Sequence, residues 1–233
     1  MPSVPRRTSC LLAVLALVLT GLTAFVASAP AGAGVPRAPH AFGATIEADT
    51  AYVEQDDCDP TPRHGTTMLG NLLTRTYGGT TWSSYRPCDG SVSEHHDFRA
   101  IDWMVSSRNR VQRTQGYDFW RWLLQKDGAG NQFAMARRLG VMYIIFNGRM
   151  WGAWSGQWEE YMHCMTTQTA RRFDNACHRT HMHISLSWNG ARGLTSFWTG
   201  GVWRTDYGPC KPRGRKYAPR WSHRNFIPCT GTY

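Results

Sequence analysis

Histidine and aspartate recur at short spacings in two segments of this sequence. Residues 93–102 read SEHHDFRAID, with a doubled histidine shortly before an aspartate. Residues 178–188 read HRTHMHISLSW, with two histidines at alternate positions. Neutral imidazole and carboxylate groups are the zinc ligands that remain when thiolates are not available, and a catalytic site uses three of them. The two segments together therefore contain enough side chains for one zinc site and a spare base.

Alternation of apolar and polar residues predicts strands that position these side chains. In residues 100–105 (AIDWMV), Asp102 lies on the opposite side from the large apolar residues. In residues 181–188 the alternation places His181 and His183 on one face. An unpaired carboxylate in a hydrophobic strand is costly, so Asp102 needs partners. Backbone amides or an arginine are alternative partners, and a partly exposed histidine pair without metal is an alternative for the second segment.

The rest of the chain alternates between helical and strand patterns. Asn147-Gly148 between two apolar runs predicts a tight hairpin of strands 141–146 and 149–154. Helical periodicity and capping residues predict helices at residues 66–76, at 118–126 with Asp118 as the cap, at 131–140 with Asn131 as the cap, and at 168–175. We expect an α+β fold in which helices back one face of a small antiparallel sheet, and the other face carries the polar chemistry.

Composition divides the 233 residues into four segments. Two arginines, an apolar run and small residues predict a signal peptide at 1–33, cleaved after Ala33, with an uncleaved membrane anchor as the alternative. Residues 34–63 read as a flexible leader, and 64–208 as the main domain. Residues 209–233 are an arginine- and proline-rich tail, and secretion is the expected localisation.

Seven cysteines fit export to an oxidising compartment. Cys10 leaves with the signal peptide, and the six others form an even set. Pairing between neighbours along the chain predicts three disulfides, namely Cys58–Cys88, Cys164–Cys177 and Cys210–Cys229. Zinc ligation by these cysteines is the alternative, although no CxxC pair is present.

The formal net charge of +10 favours contact with anionic polymers such as cell-wall material, a membrane surface or nucleic acid. Solubility alone also accounts for many scattered arginines. Eleven tryptophans are a second unusual feature. Those within residues 151–158, together with Trp188, line a binding groove in one interpretation and pack in the core in the other.

The first segment resembles a zinc-peptidase motif. Ser93-x-His95 followed by Ala100-x-Asp102 is similar to S-x-H-x-x-G-x-A-x-D, found in D-alanyl-D-alanine carboxypeptidases and dipeptidases. These belong to a wider set with lysostaphin-type endopeptidases and the hedgehog signalling domain. The later His-x-His resembles that set's second element. The residues around both motifs also resemble those of secreted actinobacterial proteins with this type of domain, over about residues 64 to 195.

The resemblance implies a role for each site residue. His95, Asp102 and His183 would bind Zn²⁺, and His181 would be the base that deprotonates water. Arg86, in a Tyr-Arg pair ahead of the motif, would steady the developing oxyanion, although a surface arginine beside a cysteine is the alternative.

Three departures from the motif bear on these roles. Phe98 stands where the motif has glycine, which raises the question of whether the backbone can follow the same path. His96 beside His95 leaves two candidates for one ligand. Thr180 precedes His181, where the relatives often have an acidic residue.

The function expected from these features is that of a secreted zinc-dependent metallohydrolase. Its substrate would be peptide bonds of peptidoglycan, cut as a carboxypeptidase or an endopeptidase. Peptidoglycan or another anionic wall polymer is the expected partner, with no stable nucleic-acid partner and no membrane contact after signal removal. A non-catalytic wall- or glycan-binding protein on the same fold is the main alternative, and a secreted nuclease is a third.

Overall fold

The computed structural model describes residue 1 and residues 34–55 and 58–203. The predicted signal peptide beyond its first residue, its cleavage site and the Cys210–Cys229 pair lie outside this part of the chain. None of the helices described there has the length and apolar character needed to span a bilayer.

A single six-stranded antiparallel sheet organises residues 82–186. Its strands lie in the order β1-β2-β6-β3-β4-β5, so the last strand in sequence is central and pairs with both β2 and β3. With the helices, this sheet confirms the predicted α+β class. The strands are β1 (Trp82–Ser83), β2 (Ala100–Trp103), β3 (Val141–Phe146), β4 (Arg149–Gly152), β5 (Gln157–Glu160) and β6 (Met182–Leu186).

The described residues also form five α-helices. They are α1 (His64–Tyr77), α2 (Arg110–Leu124), α3 (Ala134–Leu139), α4 (Trp188–Arg192) and α5 (Ser196–Thr199). The first agrees with the predicted helix at 66–76, and its Leu69 and Leu73 are fully buried. The predicted helix at 168–175 is reduced to a single 3-10 turn at Arg171–Phe173.

The predicted start of α2 at Asp118 is wrong. The helix begins two turns earlier, because the Asn109 side chain caps it by accepting hydrogen bonds from the backbone of Val111 and Gln112. The absence of a side chain at Gly116 lets the helix approach Phe146, whose ring would lie 2.8 Å from an added Cβ.

Other observed boundaries of helices and strands differ from the predicted ones, mainly because polar side chains form hydrogen bonds in turns. Asn131 does not cap α3; its backbone and side-chain amides donate to Asp127, and the helix starts three residues later. The last strand ends at Leu186, because Ser187 accepts a hydrogen bond from the Gly190 backbone and begins α4. The fourth strand ends at Gly152, and β5 was not predicted.

The hairpin between β3 and β4 is confirmed. Its turn residues Asn147 and Gly148 have φ of 51° and 79°, the left-handed conformation that this residue pair tolerates. The strands on either side pair from Phe146–Arg149 to Tyr143–Gly152.

The two faces of the sheet are covered differently. One face packs against the helices and forms the main core, which includes Ile101, Trp103, Ile144 and Ile184. The other face carries a smaller cluster of Met142, Tyr143 and Ile145, packed against Tyr52, Val53, Met150, Trp154 and Tyr161.

Residues 34–55 have no helix or strand but are tied to the domain by buried arginines. Arg99 donates to the carbonyl groups of Val53 and Glu54, each at 3.0 Å. Arg138 donates to the carbonyl groups of Gly43 and Thr45. The predicted leader therefore supplies contacts that its composition did not indicate.

Two of the predicted disulfides are confirmed. Cys58 is bonded to Cys88, and Cys164 is bonded to Cys177. These four cysteines are therefore not available as zinc thiolates.

Candidate metal centre

Sheet register brings Asp102 and His183 together. In the β2–β6 pair these residues are directly opposite each other, and opposite residues of an antiparallel pair project to the same face. On its other side His183 is opposite Ile145. The polar pair thus lies at the centre of the sheet, on the face that does not carry the helices.

His95 reaches the same point from the turn that precedes β2. The Glu94 carbonyl accepts hydrogen bonds from the backbone of Arg99 and Ala100, which closes the turn over residues 94–100. Phe98 completes it with φ of 61°. Glycine adopts this conformation freely, so the backbone follows a path suited to the motif's glycine, at a cost of about 1–2 kcal/mol for phenylalanine.

Three ligand atoms converge at this place. His95 Nε2 lies 3.1 Å from Asp102 Oδ1 and 3.1 Å from His183 Nδ1, and the latter two atoms are 3.2 Å apart. Atoms bound to one tetrahedral zinc at about 2.0–2.1 Å are about 3.3 Å from one another. The spacing of this buried His-Asp-His group therefore fits a common metal ion.

The outer nitrogen of each histidine is engaged elsewhere. His95 Nδ1 contacts the Ser84 carbonyl, which only accepts, so this nitrogen carries the proton. His183 Nε2 lies 2.9 Å from Ser185 Oγ. When both outer nitrogens act as donors, the inner nitrogens present lone pairs to each other and to Asp102. Three acceptors around one point need a cation to offset their repulsion.

Burial and hydrogen bonding act in opposite directions on the site's ionisation. Burial raises the pKa of Asp102, but the nearby His183 and His95 side chains outweigh it and hold that pKa well below its usual range. Burial lowers the pKa of His183, against the opposing effect of Asp102. The carboxylate is thus ionised and the imidazole neutral, as metal binding requires.

His181 lies beside the three ligand atoms. Its Nε2 is 3.5 Å from Asp102 Oδ1, and its Nδ1 is 2.9 Å from Thr180 Oγ1. Thr180 donates to Asn175, which leaves its oxygen to accept from the His181 ring. Burial lowers the pKa of His181, so the ring is neutral with Nε2 unprotonated on the side of the site. Thr180 therefore orients the ring.

Arg86 also belongs to this site. Its guanidinium donates to Asp102 Oδ2, the carboxylate oxygen that the histidines do not contact. The arginine side chain is 53% exposed, whereas that of Asp102 is 3% exposed. Arg86 therefore stands between the buried group and solvent.

His96 points away from the group. Its Nδ1 lies 3.0 Å from Gln55 Oε1, and its Nε2 lies 3.8 Å from Asp89. Of the doubled histidine, it is His95 that contacts Asp102 and His183.

Sequence reasoning missed His178. Its ring centroid is 4.8 Å from that of His181 and 5.7 Å from that of His183. Burial lowers its pKa to about 2, so it is neutral at physiological pH. The sequence feature that pointed to His178 was its position three residues before His181. It was not used, because strand alternation predicts nothing about a residue ahead of the strand.

Of the tryptophans within residues 151–158 and Trp188, Trp151 and Trp188 are buried, and Trp154 and Trp158 are half-buried. Trp151 belongs to the main core and Trp158 packs against it. Trp188 is buried beneath the guanidinium groups of Arg63, Arg99 and Arg192. These side chains favour the core interpretation over a groove.

Comparison with known proteins gave one similarity. The family model described as VldE, C-terminal domain matches residues 58–173. That region contains Arg86, His95 and Asp102, and it ends before His181 and His183. Neither the curated proteins nor the solved structures gave a match. Over the matched residues, the chain is therefore similar to the VldE C-terminal domain.

Proposed function

We propose that this protein is an exported zinc-dependent hydrolase that cuts peptide bonds of peptidoglycan. The observation that carries the proposal is the convergence of three acceptor atoms from His95, Asp102 and His183 at 3.1–3.2 Å from one another. Their burial and the engaged outer nitrogens favour a metal centre over a chance cluster of polar side chains.

A bound divalent cation would supply Lewis acidity, which polarises a carbonyl group and makes water more acidic. His181 supplies the proton transfer. Its unprotonated Nε2 accepts a proton from the attacking water as the water oxygen bonds to the carbonyl carbon. The C–N bond then breaks, and the same nitrogen returns the proton to the leaving amine. The lowered pKa keeps His181 ready to act as a base at neutral pH.

Arg86 has two roles in this proposal. It holds Asp102 Oδ2, which leaves Oδ1 directed at the histidines. Its exposed position also places a positive charge at the solvent side of the group, where it would stabilise negative charge on a carbonyl oxygen.

Three features support an exported wall hydrolase. The chain's motifs resemble those of peptidases that act on cell-wall peptides. The two disulfides among the described residues are typical of oxidising compartments outside the cytosol. Its formal charge of +10, or +8 without Arg6 and Arg7 of the predicted signal peptide, favours an anionic polymer as the substrate.

The test is digestion of purified peptidoglycan by wild type and by His183→Ala, each with and without added zinc. We expect new amine termini with the zinc-loaded wild type and none with the variant. His64→Ala, which changes an exposed histidine on α1, is the matched control and should behave like wild type. Binding of the wild type to walls without any new termini would replace the proposal with the non-catalytic alternative.

A further inference from the structure

A buried carboxylate lies behind the candidate metal centre. Glu94 is 1% exposed and occupies the turn residue next to His95. Its Oε2 accepts hydrogen bonds from the Tyr143 hydroxyl and, at 3.2 Å, from Ser185 Oγ. None of these three side chains takes part in the proton transfer described above.

Both hydroxyl groups also touch His183. Ser185 Oγ is 2.9 Å and Tyr143 Oη is 3.3 Å from His183 Nε2. A hydroxyl has one proton to donate, and here both protons are directed at the carboxylate. The oxygen lone pairs that remain face Nε2, so this nitrogen must be the one that carries the imidazole proton.

We propose that Glu94 is a positioning residue that fixes the tautomer of His183 through Tyr143 and Ser185. By making both hydroxyls acceptors toward Nε2, it leaves Nδ1 as the unprotonated nitrogen directed at Asp102 and His95. This proposal rests on the cation site of the proposed function and goes beyond it by naming what prepares one ligand.

The fold supports this arrangement. Tyr143 and Ser185 are directly opposite each other in the β3–β6 pair, so both project to the face that carries His183. The Tyr143 ring also stacks on the His183 ring, with centroids 5.3 Å apart and planes at 19°. The turn at residues 94–95 thereby provides one ligand directly and orients another through Glu94.

Replacing the carboxylate by an amide should disturb this order. In Glu94→Gln the side chain can donate to the hydroxyls, which frees their protons to point at His183 Nε2. The imidazole proton then moves to Nδ1, where it blocks the ligand position. Loss of a carboxylate or carbonyl partner behind a metal-binding histidine weakens metal affinity by about 10–100-fold.

The experiment compares full-length, disulfide-intact wild type with Glu94→Gln and with the double variant Tyr143→Phe/Ser185→Ala. Zn²⁺ affinity is measured by competition with a chromophoric chelator. The His183 tautomer is read in the metal-free protein from its ¹⁵N shifts. We expect zinc affinity at least about 10-fold weaker in both variants, and the Nε2–H form in wild type only.

Matched controls carry the same chemical changes elsewhere. Glu159→Gln alters an exposed carboxylate, Ser83→Ala an exposed hydroxyl, and Tyr77→Phe a buried hydroxyl that has no hydrogen-bond partner among the described residues. All three should bind zinc like wild type. Thermal unfolding of the metal-free proteins shows whether a variant is merely destabilised.

The outcomes separate this inference from the proposed function. Unchanged zinc affinity and an unchanged His183 tautomer in both variants would overturn the role of Glu94 while leaving the metal centre intact. An Nδ1–H tautomer in metal-free wild type would also overturn it. If the wild type binds no zinc, the proposed function fails, and the tautomer measurement alone decides the role of Glu94.

Discussion

His183 Nδ1 lies 3.1 Å from His95 Nε2, although 88 residues separate the two histidines in the chain. The contact joins the central strand of the sheet to the turn before its neighbour. Neither nitrogen has a proton to offer the other when both outer nitrogens are donors. The contact is therefore explained best by a cation between them.

Removal of the cation should lower stability. A ligand that binds only the folded state adds about 2.7 kcal/mol when its free concentration is 100 times Kd. We expect the melting temperature of zinc-loaded wild type to fall by several degrees on addition of a chelator. Asp102→Asn should melt at one temperature with or without zinc, and a chelator response equal to that of wild type would contradict the assignment.

Substitution of His181 should separate chemistry from metal binding. Loss of a positioned general base lowers the turnover rate by about 10²–10⁴-fold. His181→Gln should therefore lose peptidoglycan hydrolysis to that extent and still bind one zinc ion, as shown by activity and metal analysis of one sample. Full activity in this variant would assign the base to another group, with His178 the nearest imidazole.

Several parts of the fold and of the candidate site could be predicted from the sequence. Alternation placed Asp102 and His183 on strand faces, and the Asn147-Gly148 turn fixed a hairpin, because both signals depend on local geometry alone. Pairing of neighbouring cysteines was also correct for Cys58–Cys88. In each case the order of residues along the chain was sufficient for the prediction.

Other features depend on contacts that no local pattern encodes. The capping role of Asn109 was not predicted, and the glycine at position 116 within this helix is explained only by its packing on Phe146. Glu94 and Tyr143 come together through strand register and a turn, so neither stood out as a site residue. The place of Arg86 beside Asp102 likewise required the paired strands.

Acidification should destabilise the metal-free protein. Burial lowers the pKa of His178 to about 2, and the pKa values of His181 and His183 are lowered as well. The unfolded chain then binds more protons below about pH 6.5, so the free energy of unfolding falls as pH falls. For His178 the loss between pH 7 and pH 5 is at most about 2 kcal/mol.

Denaturant unfolding of wild type and His178→Gln at several pH values checks this sign. The variant should show a shallower loss of stability on acidification. Equal slopes for the two proteins would mean that His178 is not held neutral by burial.

Position 98 should tolerate glycine better than alanine. Both Phe98→Gly and Phe98→Ala remove the ring, but only glycine relieves the backbone at φ of 61°. We expect the glycine variant to be more stable than the alanine variant by about 1 kcal/mol, the reverse of the usual order. Urea unfolding of the pair measures this difference, and a more stable alanine variant would rule out backbone strain.

The Cys58–Cys88 disulfide should matter for metal binding as well as stability. Gln55, near this bond, accepts a hydrogen bond from Ser93 N at 2.9 Å and contacts His96, so it holds both sides of His95. Replacing the pair with serines should cost about 3–4 kcal/mol and weaken zinc affinity several-fold.

The matched control is the Cys164–Cys177 pair, which is remote in sequence from the turn carrying His95. Its serine variant should lose a similar free energy of unfolding with less change in zinc affinity. Equal losses of affinity in the two variants would show that the first disulfide has no particular hold on His95.

The most direct test of the central claim is zinc stoichiometry by atomic emission after zinc loading and gel filtration. Wild type should retain about one zinc per chain, as one three-ligand site requires, and His95→Ala, Asp102→Asn and His183→Ala should each retain almost none. Wild type that retains no zinc, or variants that retain as much as wild type, would contradict a metal centre at these three residues.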